Sequence, residues 1–313
     1  MRIVFFGSPD FATPSLAAVA DHHEVVAVVT QPDRPAGRGG RVQAPPIKTL
    51  ASQLGLPVLQ PTKLRDGVIA RELAALQPDL FVVVAYGRIL PPDLLAVPRL
   101  GPWNVHASIL PRFRGAAPIQ WAVIRGEQAT GVTIMRMEEG LDTGPVAALA
   151  MHSVSDDDTA ESVASRLAPL GARLLMETIP RIGDGTVALQ VQDHSVATLA
   201  PLLKKEDGQL DFRQSAMAVS AHARGVDPWP GATVLMSAKV TKVFRPTLIP
   251  GSGKPGEILG LATEGLAVAC GEGALAFAEL QLPGHRRMPA RALLSGHPIP
   301  PGTMLDPFPA VTR

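Results

Sequence analysis

Polar residues suited to acid, base and hydrogen-bond chemistry alternate with apolar ones in "NVHASILPRFRGAAP", residues 104–118. The period of two predicts that Asn104, His106 and Ser108 share one face of an extended strand, which Pro111 then ends. The simplest interpretation is a satisfied polar cluster beneath a loop. Asn and His at alternate positions of an otherwise apolar strand nevertheless favour a functional site over that interpretation.

A candidate base follows in the segment "MEEGLDTGPV", where Asp142 lies between two glycines. A turn-forming Asp is common in such a loop, so this signal is weak by itself. Together with Asn104 and His106, it completes a set suited to transferring an acyl or formyl group to an amine. Attack by the amine creates an oxyanion that Asn104 and a protonated His106 can stabilise. Asp142 can accept the amine proton, directly or through water.

The elements that must position these residues alternate between strands and helices. Short, continuously apolar runs predict strands at residues 2–7, 24–30, 79–87 and 103–108, with amphipathic helices between them. Such strands indicate an α/β fold with a doubly wound, mostly parallel sheet covered on both faces. Ligands bind these sheets at the carboxyl ends of the strands, where His106 and Ser108 are expected. We place this N-terminal domain at residues 1–185.

A different pattern begins after residues 186–207, which we interpret as a linker. Short alternating strands with Gly and Pro turns, and without long intervening helices, predict a small β-barrel or β-sandwich at residues 208–313. This half has ten basic and seven acidic residues. That excess is too small to identify a nucleic-acid surface by itself.

Composition restricts the protein to a globular class. Of 313 residues, 46% are apolar and 4% aromatic, and the net charge of +1 indicates no particular partner. Cys270 is the only cysteine, which excludes an internal disulfide and a thiolate zinc site. The first apolar run stops at Gly7, too early for a secretory signal, and no run is long enough to span a membrane. We therefore expect a soluble cytoplasmic protein.

Motifs of several other chemistries are missing from the sequence. "GSPDFA" follows the first predicted strand, but Pro9 and Asp10 break the glycine pattern of dinucleotide-binding proteins, which argues against NAD. This turn either caps the next helix through Ser8 or Asp10, or contributes to binding. The sequence has no G-x-S-x-G elbow and no HExxH motif, and "DHHE" at residues 21–24 is more typical of a solvated turn between a helix and a strand than of a metal site. Direct transfer, without a covalent intermediate or a metal ion, is the expectation.

A basic segment rich in Gly and Pro occupies residues 31–48, "QPDRPAGRGGRVQAPPIK". Asp33 is its only acidic residue, and its basic residues are Arg34, Arg38, Arg41 and Lys48. The segment is long for a connection between a strand and a helix. It is either a solvated loop or an arm that contacts phosphate or nucleic acid.

The central motifs resemble those of the folate-dependent formyltransferase family. "NVHASILPRFRGAAPIQWAVIRGE" followed by "TGVTIMRMEEGLDTGPV" is similar to the signature of that family. The segments "FFGSPDFA", "TQPDRPAGRG", "VVVAYGRILP", "LLKKEDGQLDF" and "PWPGATVLM" extend the resemblance over nearly the whole chain. It is most specific in the central motif. Within the family, the chain is most similar to members that formylate methionyl initiator tRNA.

The resemblance implies a Rossmann-like N-terminal domain that binds 10-formyltetrahydrofolate and a C-terminal OB-like β-barrel that helps to hold tRNA. Matched residue by residue, Asn104, His106 and Asp142 are the implied catalytic residues. The implied folate-binding residues are Tyr86, Gly87, Arg88, Ile89, Leu90, Ser108, Ile109, Leu110 and Pro111. The basic segment would reach the acceptor end of the tRNA, with Arg38 near the first base pair. The implied partners are initiator methionyl-tRNA and the folate co-substrate, with no metal and no membrane, and a monomer is expected.

Two positions depart from the family pattern. Ile109 stands where Leu is usual, which should be harmless, and Gly40 replaces a frequent lysine, which reduces the charge of the basic segment.

Three alternatives to a tRNA formyltransferase stay open. A related enzyme that formylates a sugar amine or a purine precursor, or that hydrolyses formyl-folate, would share the same catalytic residues. A non-catalytic RNA-binding protein and a dehydrogenase are the others, the last disfavoured by the missing glycine pattern. The basic segment and the added β domain favour tRNA as the substrate.

Overall fold

The first half of the chain builds a seven-stranded sheet with helices packed on it. The computed structural model describes residues 1–36 and 41–309. In chain order the elements are β1 (Arg2–Gly7), α1 (Thr13–His22), β2 (Glu24–Val29), β3 (Arg34–Ala36), β4 (Arg41–Gln43), α2 (Pro46–Gln53), β5 (Val58–Leu59), α3 (Val68–Ala75), β6 (Leu80–Val84), α4 (Pro92–Leu95), β7 (Pro102–His106), α5 (Pro118–Ile124), β8 (Ala129–Arg136), β9 (Val146–Ser153) and α6 (Ala160–Gly183).

The strand order in this sheet is β5-β2-β1-β6-β7-β8-β9. Neighbouring strands from β5 to β7 are parallel, whereas β8 and β9 are added antiparallel at one side. This arrangement confirms the predicted mostly parallel, Rossmann-like sheet. The chain runs outward from β1 through β2 to β5, then returns to the other side of β1 with β6. The topological switch point therefore lies between β1 and β6, and ligands bind such sheets at the carboxyl ends of the strands there.

Burial on both faces explains why the strands are continuously apolar. All five residues of β6 are buried, and Phe6, Phe81 and Tyr86 form one aromatic group inside the core. Helix α6 packs on one face of β7, so closely that a Cβ at Gly171 would lie 2.9 Å from Val105 Cγ1. Since Val105 faces the helix, its neighbours Asn104 and His106 face the opposite side of the sheet, as predicted.

Two strands end earlier than the sequence pattern predicts. β6 ends at Val84 rather than at residue 87, because Ala85 (φ 47°) and Gly87 (φ 77°) are in the left-handed region and turn the chain out of the sheet. β7 ends at His106, whose partner is Thr133 of β8, so Ser108 is outside the strand. The prediction that Ser108 shares the strand face of Asn104 and His106 is therefore wrong.

The C-terminal half forms a second, antiparallel sheet. Its elements are α7 (Ala216–Gly225), β10 (Thr233–Met236), β11 (Lys239–Ile249), β12 (Ile258–Leu261), β13 (Leu266–Ala269), β14 (Ala274–Gln281), β15 (Met288–Pro289) and α8 (Ala290–Gly296). The strand order is β10-β11-β14-β13-β12, with β15 on β14. Helix α7, which the sequence analysis does not predict, begins after Ser215, whose hydroxyl accepts a hydrogen bond from Ala218 N.

The backbone of residues 302–306 closes this sheet. Leu305 N donates to Gly256 O, next to β12, and Asp306 N donates to Leu235 O in β10 (both hydrogen bonds within 2.8–2.9 Å). One extended segment thus bridges the two outer strands of the sheet. Pairing both edges in this way makes the domain barrel-like, which agrees with the expected OB-like class and leaves fewer open strand edges.

The chain consists of two compact units. The first contains Met1–Pro118, Ala129–Ser153 and Ala164–Pro201, and the second contains Ile119–Gln128, Val154–Val163 and Leu202–Arg313. Most of the segment at 186–207 therefore belongs to the first unit. Within the part of the chain that the structure describes, no helix combines the length and the apolar character needed to cross a membrane.

Candidate active site

The candidate site lies at the end of β7, beside the topological switch point. Asn104 pairs with Val83 of β6 on one side and with Met135 of β8 on the other, which fixes its position along the sheet. His106 is the last residue of the strand. The loop that follows β6 therefore starts next to these two side chains, because the carboxyl ends of neighbouring parallel strands share one edge.

The His106 ring is buried, with only 5% of its side chain exposed, and both of its nitrogens lie near oxygen atoms. Its Nε2 lies 2.9 Å from the carbonyl oxygen of Phe113. A carbonyl oxygen only accepts, so Nε2 carries a hydrogen and donates it. The other nitrogen, Nδ1, lies 3.6 Å from Asp142 Oδ2. This contact is an ion pair when Nδ1 also carries a hydrogen.

Hydrogen-bond donors surround the carboxylate of Asp142, which is 13% exposed. The backbone N of Gly115 donates to Oδ2 at 2.8 Å, and Asn104 Nδ2 donates to Oδ1 at 3.4 Å. Together with His106, three groups converge on one carboxylate, two of them from β7 and one from the segment that follows it. The structure thus brings Asn104, His106 and Asp142 together, as the sequence analysis predicts, although the long Asn104 contact leaves that amide able to reach a substrate.

The backbone around Asp142 is unusual. Asp142 itself has φ 51°, a left-handed conformation that Asp tolerates better than most residues do. Gly144 lies so close to the backbone of β8 that a Cβ there would overlap the carbonyl oxygen of Arg136. The two glycines that flank Asp142 in the sequence therefore reflect, at least at Gly144, a close approach between the loop and the strand.

Gly144→Ala should lower the free energy of unfolding by about 1–3 kcal/mol, because the added methyl group has no space beside Arg136. The loop must shift to relieve the overlap, so activity should fall as well. Urea unfolding followed by circular dichroism measures the loss. Gly296→Ala is the matched control, since a Cβ at that position meets nothing within 4 Å. Equal stability of the two variants would contradict the prediction.

Two residues that hold the site escape the sequence analysis. Gly115 donates its backbone N–H to Asp142, and Gln192, only 5% exposed, donates to the carbonyl oxygens of Asp142 and Gly144. Gly115 is part of the quoted motif, but nothing in the sequence indicates what its backbone binds. Gln192 lies in the predicted linker, and a single Gln in such a segment carries no signal that it will be buried.

The loop after β6 offers an open backbone surface beside these residues. Gly87 has φ 77°, and a Cβ there would meet no atom within 4 Å, while Ile89 is 66% exposed. Tyr86 and Leu90 instead pack into the core, and burial raises the pKa of the Tyr86 hydroxyl. Arg88 donates hydrogen bonds to the carbonyl oxygens of Pro61 and Thr62 and so ties the loop down.

The second predicted folate-binding segment is turned mostly into the protein. Ser108 is fully buried and its hydroxyl donates to Arg112 O at 2.6 Å. Leu110 packs with Met135 and Val146 in a small apolar cluster. The half-buried residues of the segment are Ile109 and Pro111. This segment therefore contributes shape and backbone to the site more than polar side chains.

Ser8 connects neighbouring loops and does not cap a helix. Its hydroxyl accepts a hydrogen bond from Gln31 N at 3.2 Å and donates to Tyr86 O at 3.4 Å. Helix α1 begins after Ala12 without a side-chain cap, so neither Ser8 nor Asp10 caps it. Ser8 instead joins the loops that follow three neighbouring strands at the switch point.

The basic segment forms a small hairpin. β3 and β4 pair antiparallel, with Arg34 opposite Gln43, and Arg41 begins β4. Arg34 is exposed and donates to Gln31 Oε1 at 3.3 Å. Arg38 lies outside the described residues.

Lys48, at the base of the hairpin, is paired with an acid. Its Nζ lies 2.7 Å from Asp33 Oδ2, and Gln60 donates to the other oxygen of the same carboxylate. These hydrogen bonds from Lys48 and Gln60 lower the pKa of Asp33. Lys48 therefore fixes the base of the hairpin, and its charge is shared with Asp33.

Among residues 1–36 and 41–309, no group of three or more His, Cys, Asp or Glu side chains is arranged to hold a metal ion. Cys270, in the second unit, is buried, and this burial raises the pKa of its thiol to about 11.

Comparison with known families identifies both halves of the chain. The formyl transferase family model matches residues 1–179, and the model for the formyl transferase C-terminal domain matches residues 202–298. The methionyl-tRNA formyltransferase of Myxococcus xanthus is 49% identical over 307 residues, which cover 98% of this chain and 98% of that protein. That of Citrifermentans bemidjiense is 48% identical over 306 residues, covering 97% and 96%.

Solved structures are similar in fold at lower identity. The N-formyltransferase from Helicobacter canadensis, in complex with folinic acid and dTDP-3-aminofucose, has a TM-score of 0.69 and 16% identity, covering 92% of this chain and 100% of that one. HypX from Aquifex aeolicus, in complex with tetrahydrofolic acid, has a TM-score of 0.63 and 20% identity, covering 94% of this chain and 47% of that one.

Proposed function

The chain belongs to the formyl transferase family, and we propose that it transfers the formyl group of 10-formyltetrahydrofolate to the amino group of methionyl initiator tRNA. The observation that carries the proposal is the convergence of Asn104, His106 and Asp142 at the end of β7. The product, formylmethionyl-tRNA, is the form used to initiate translation. The relatives that span nearly the whole chain share this activity by name.

The three side chains divide the work of formyl transfer. When bound, the folate supplies a formyl carbonyl attached to a nitrogen that can leave. Asp142 accepts a proton from the attacking amine, since its carboxylate is held close to the site and partly exposed. His106 Nδ1–H and Asn104 Nδ2–H both face the Asp142 carboxylate in the structure, and during transfer they would donate to the oxygen on which negative charge develops. The proton on His106 is available to the departing nitrogen, which balances the one taken from the amine.

The loop after β6 fits a flat heteroaromatic ring. Its backbone at Gly87 faces open space, so a ring can approach the peptide groups without meeting a side chain. Ile89 offers an exposed apolar surface, and Tyr86 and Leu90 support the loop from the core. The half-buried Ile109 and Pro111 would bound the other side of the folate. The proposed folate site thus adjoins the catalytic residues at the edge shared by β6 and β7.

The hairpin of β3 and β4 is the proposed contact for the tRNA acceptor end. Arg34, Arg38 and Arg41 supply positive charge for phosphate groups. Lys48 supports the hairpin by its ion pair with Asp33, so its contribution to RNA affinity is expected to be indirect. The C-terminal barrel adds a second surface for the tRNA.

Arg38→Ala should weaken the use of tRNA while folate binding is unchanged. Removing one phosphate contact should reduce the salt dependence of tRNA binding by about one unit of slope. The KM for tRNA, measured at several salt concentrations, reports the effect, with folate affinity determined in parallel. Arg173→Ala is the control, because this exposed arginine on α6 pairs with Glu177. Unchanged tRNA kinetics in Arg38→Ala would remove the hairpin from the proposal.

The activity is tested by following a labelled formyl group. Wild-type protein is mixed with labelled 10-formyltetrahydrofolate and methionyl initiator tRNA, with a 3-amino sugar nucleotide or a purine precursor amine in parallel reactions. We expect label on the aminoacyl group of the tRNA. Label only on the sugar or the purine precursor, or only in free formate, would identify a related family activity instead. No transfer and no hydrolysis would leave an RNA-binding role.

We also propose that the enzyme acts as a monomer in the cytoplasm, where its aminoacylated tRNA substrate is made. The residues proposed for catalysis all lie in the first compact unit, so one chain supplies a complete site. Light scattering of the purified protein is expected to give the mass of one chain. A stable dimer would contradict this part of the proposal.

A further inference from the structure

Gln192, supported by Arg114, has the position of a residue that holds the base in place. We propose that Gln192 is a positioning residue for Asp142, and that residues 192–200 form part of the active site rather than a passive linker. This inference rests on the proposed formyl transfer, since Asp142 is the base of that reaction. Residues 192–200 are called the strap below.

One side-chain amide spans the loop that carries Asp142. Gln192 Nε2 donates to Asp142 O at 2.9 Å and to Gly144 O at 2.7 Å. Both hydrogens of the amide are thus used on the two sides of one turn, within a buried environment. Because Asp142 is in a left-handed conformation (φ 51°), its backbone needs such external support to stay there.

Arg114 fixes the orientation of that amide. Its Nε and one terminal nitrogen donate to Gln192 Oε1 at 3.1 and 2.7 Å, and the same terminal nitrogen donates to His194 Nδ1 at 3.1 Å. The guanidinium, which only donates, requires oxygen at this end of the amide, so nitrogen must face the loop. Arg114 is 6% exposed, and the hydrogen bonds to Gln192 and His194 satisfy donors of this buried guanidinium.

The strap also holds the partner of His106. Thr198 Oγ1 accepts a hydrogen bond from Phe113 N at 2.9 Å, and Phe113 O is the acceptor for His106 Nε2. The backbone of the strap also pairs with the backbone of Arg114. Arg114 N donates to Thr198 O (2.8 Å), and Ala200 N donates to Arg114 O (2.7 Å). One segment therefore fixes Asp142 directly through Gln192, and fixes His106 through Phe113.

Gln192 is proposed as a positioning residue and not as a catalytic residue, because it does not contact the carboxylate of Asp142. Gln192 binds the backbone of Asp142, whereas the carboxylate points to Gly115, Asn104 and His106. Removing the amide should let the loop relax and move the carboxylate away from His106. A shift of about one ångström in a reacting group can cost about 10²-fold in rate without changing substrate affinity.

The first test compares three variants in single-turnover formyl transfer. We expect Gln192→Leu and Gln192→Glu to lower the rate about 10- to 100-fold with KM for folate unchanged. Gln192→Glu retains the acceptor for Arg114 and replaces only the donor nitrogen, which keeps the strap anchored. Gln190→Leu is the matched control, because that side chain is exposed and its backbone alone pairs with Val146. Near wild-type rates in both Gln192 variants would overturn the inference.

A double-mutant cycle separates positioning from general damage. If Gln192 acts through Asp142, Gln192→Leu should have little further effect on the rate of an Asp142→Asn enzyme. If it only stabilises the fold, the two losses should multiply, and that outcome would overturn the inference. Thermal unfolding of each variant is measured alongside, so that a lower rate is not mistaken for less folded protein.

A third measurement does not depend on activity. The nitrogen resonances of the His106 ring report its hydrogen bonds, and they are assigned by comparison with His106→Ala. In Gln192→Leu we expect the Nδ1 resonance to move, since Asp142 leaves it, and in Gln190→Leu we expect no change. A wild-type enzyme without formyl transfer would contradict the proposed function alone, whereas an unmoved Nδ1 resonance in Gln192→Leu would contradict the positioning role.

Discussion

Replacing His106 with alanine is expected to lower kcat for formyl transfer by about 10²–10³-fold while the protein stays folded. The ring lies at the carboxyl end of β7 with its Nδ1 3.6 Å from the Asp142 carboxylate, and Nδ1 is the proposed donor to the reacting atoms. The loss should be similar in kcat and kcat/KM, because this interaction strengthens only as charge develops on the transferred oxygen. Single-turnover transfer of a labelled formyl group to methionyl initiator tRNA measures the effect.

Two further replacements of His106 identify the nitrogen that matters. His106→Gln offers an amide donor close to the position of Nε2 and can keep the hydrogen bond to Phe113 O. His106→Asn offers its donor close to the position of Nδ1. If Nδ1 serves the reaction, the Asn variant should retain more activity than the Gln variant, although the Gln variant should be the more stable protein.

Controls for His106 use a histidine outside the site. His22, exposed at the end of α1, has a ring nitrogen near Ala18 O, so His22→Ala should leave transfer unchanged. Wild-type rates in His106→Ala would exclude the proposed mechanism, and higher activity in His106→Gln than in His106→Asn would move the essential donor to Nε2.

The parallel sheet is predictable from the sequence because its strands are buried on both faces. β6 reads as a continuous apolar run, and all of its residues are buried. The ends of the strands are less predictable. The chain leaves the sheet at Ala85 in a left-handed conformation, which an alanine in the sequence does not predict. Helix α7 is missed for a related reason: its small residues, buried in part by the surrounding barrel domain, give little amphipathic pattern.

The candidate site is predictable to the extent that its residues lie on one strand. Asn104 and His106 stand out by their alternation, and a strand carries two alternate residues to the same side. Asp142 becomes a strong candidate only by resemblance, because its loop gives no local sign of where it folds. The role of Gln192 is not predictable from the sequence, because it lies 50 residues after Asp142 and the contact depends on the path of the chain between them.

Asp142→Asn is expected to lower the rate of formyl transfer by about 10²–10⁴-fold, since the proposed general base loses its charge and its proton affinity. The change is well suited to the question because Asn tolerates a left-handed backbone, so the φ of 51° at this position can be kept. The Asn oxygen can still accept from Gly115 N. The variant therefore retains the shape of the loop and removes the chemistry.

Affinity for both substrates should be nearly unchanged in Asp142→Asn, which distinguishes a lost base from a collapsed site. Asp184→Asn is the matched control, because Asp184 is an exposed turn residue that binds Thr186 locally.

Asp142→Glu tests position as opposed to charge: it retains a carboxylate but displaces it and fits the left-handed backbone less well. We expect its rate to lie between those of the wild type and Asp142→Asn. A fully active Asp142→Asn enzyme would require the amine to lose its proton to another group, and this outcome would contradict the proposed role of Asp142 as the base.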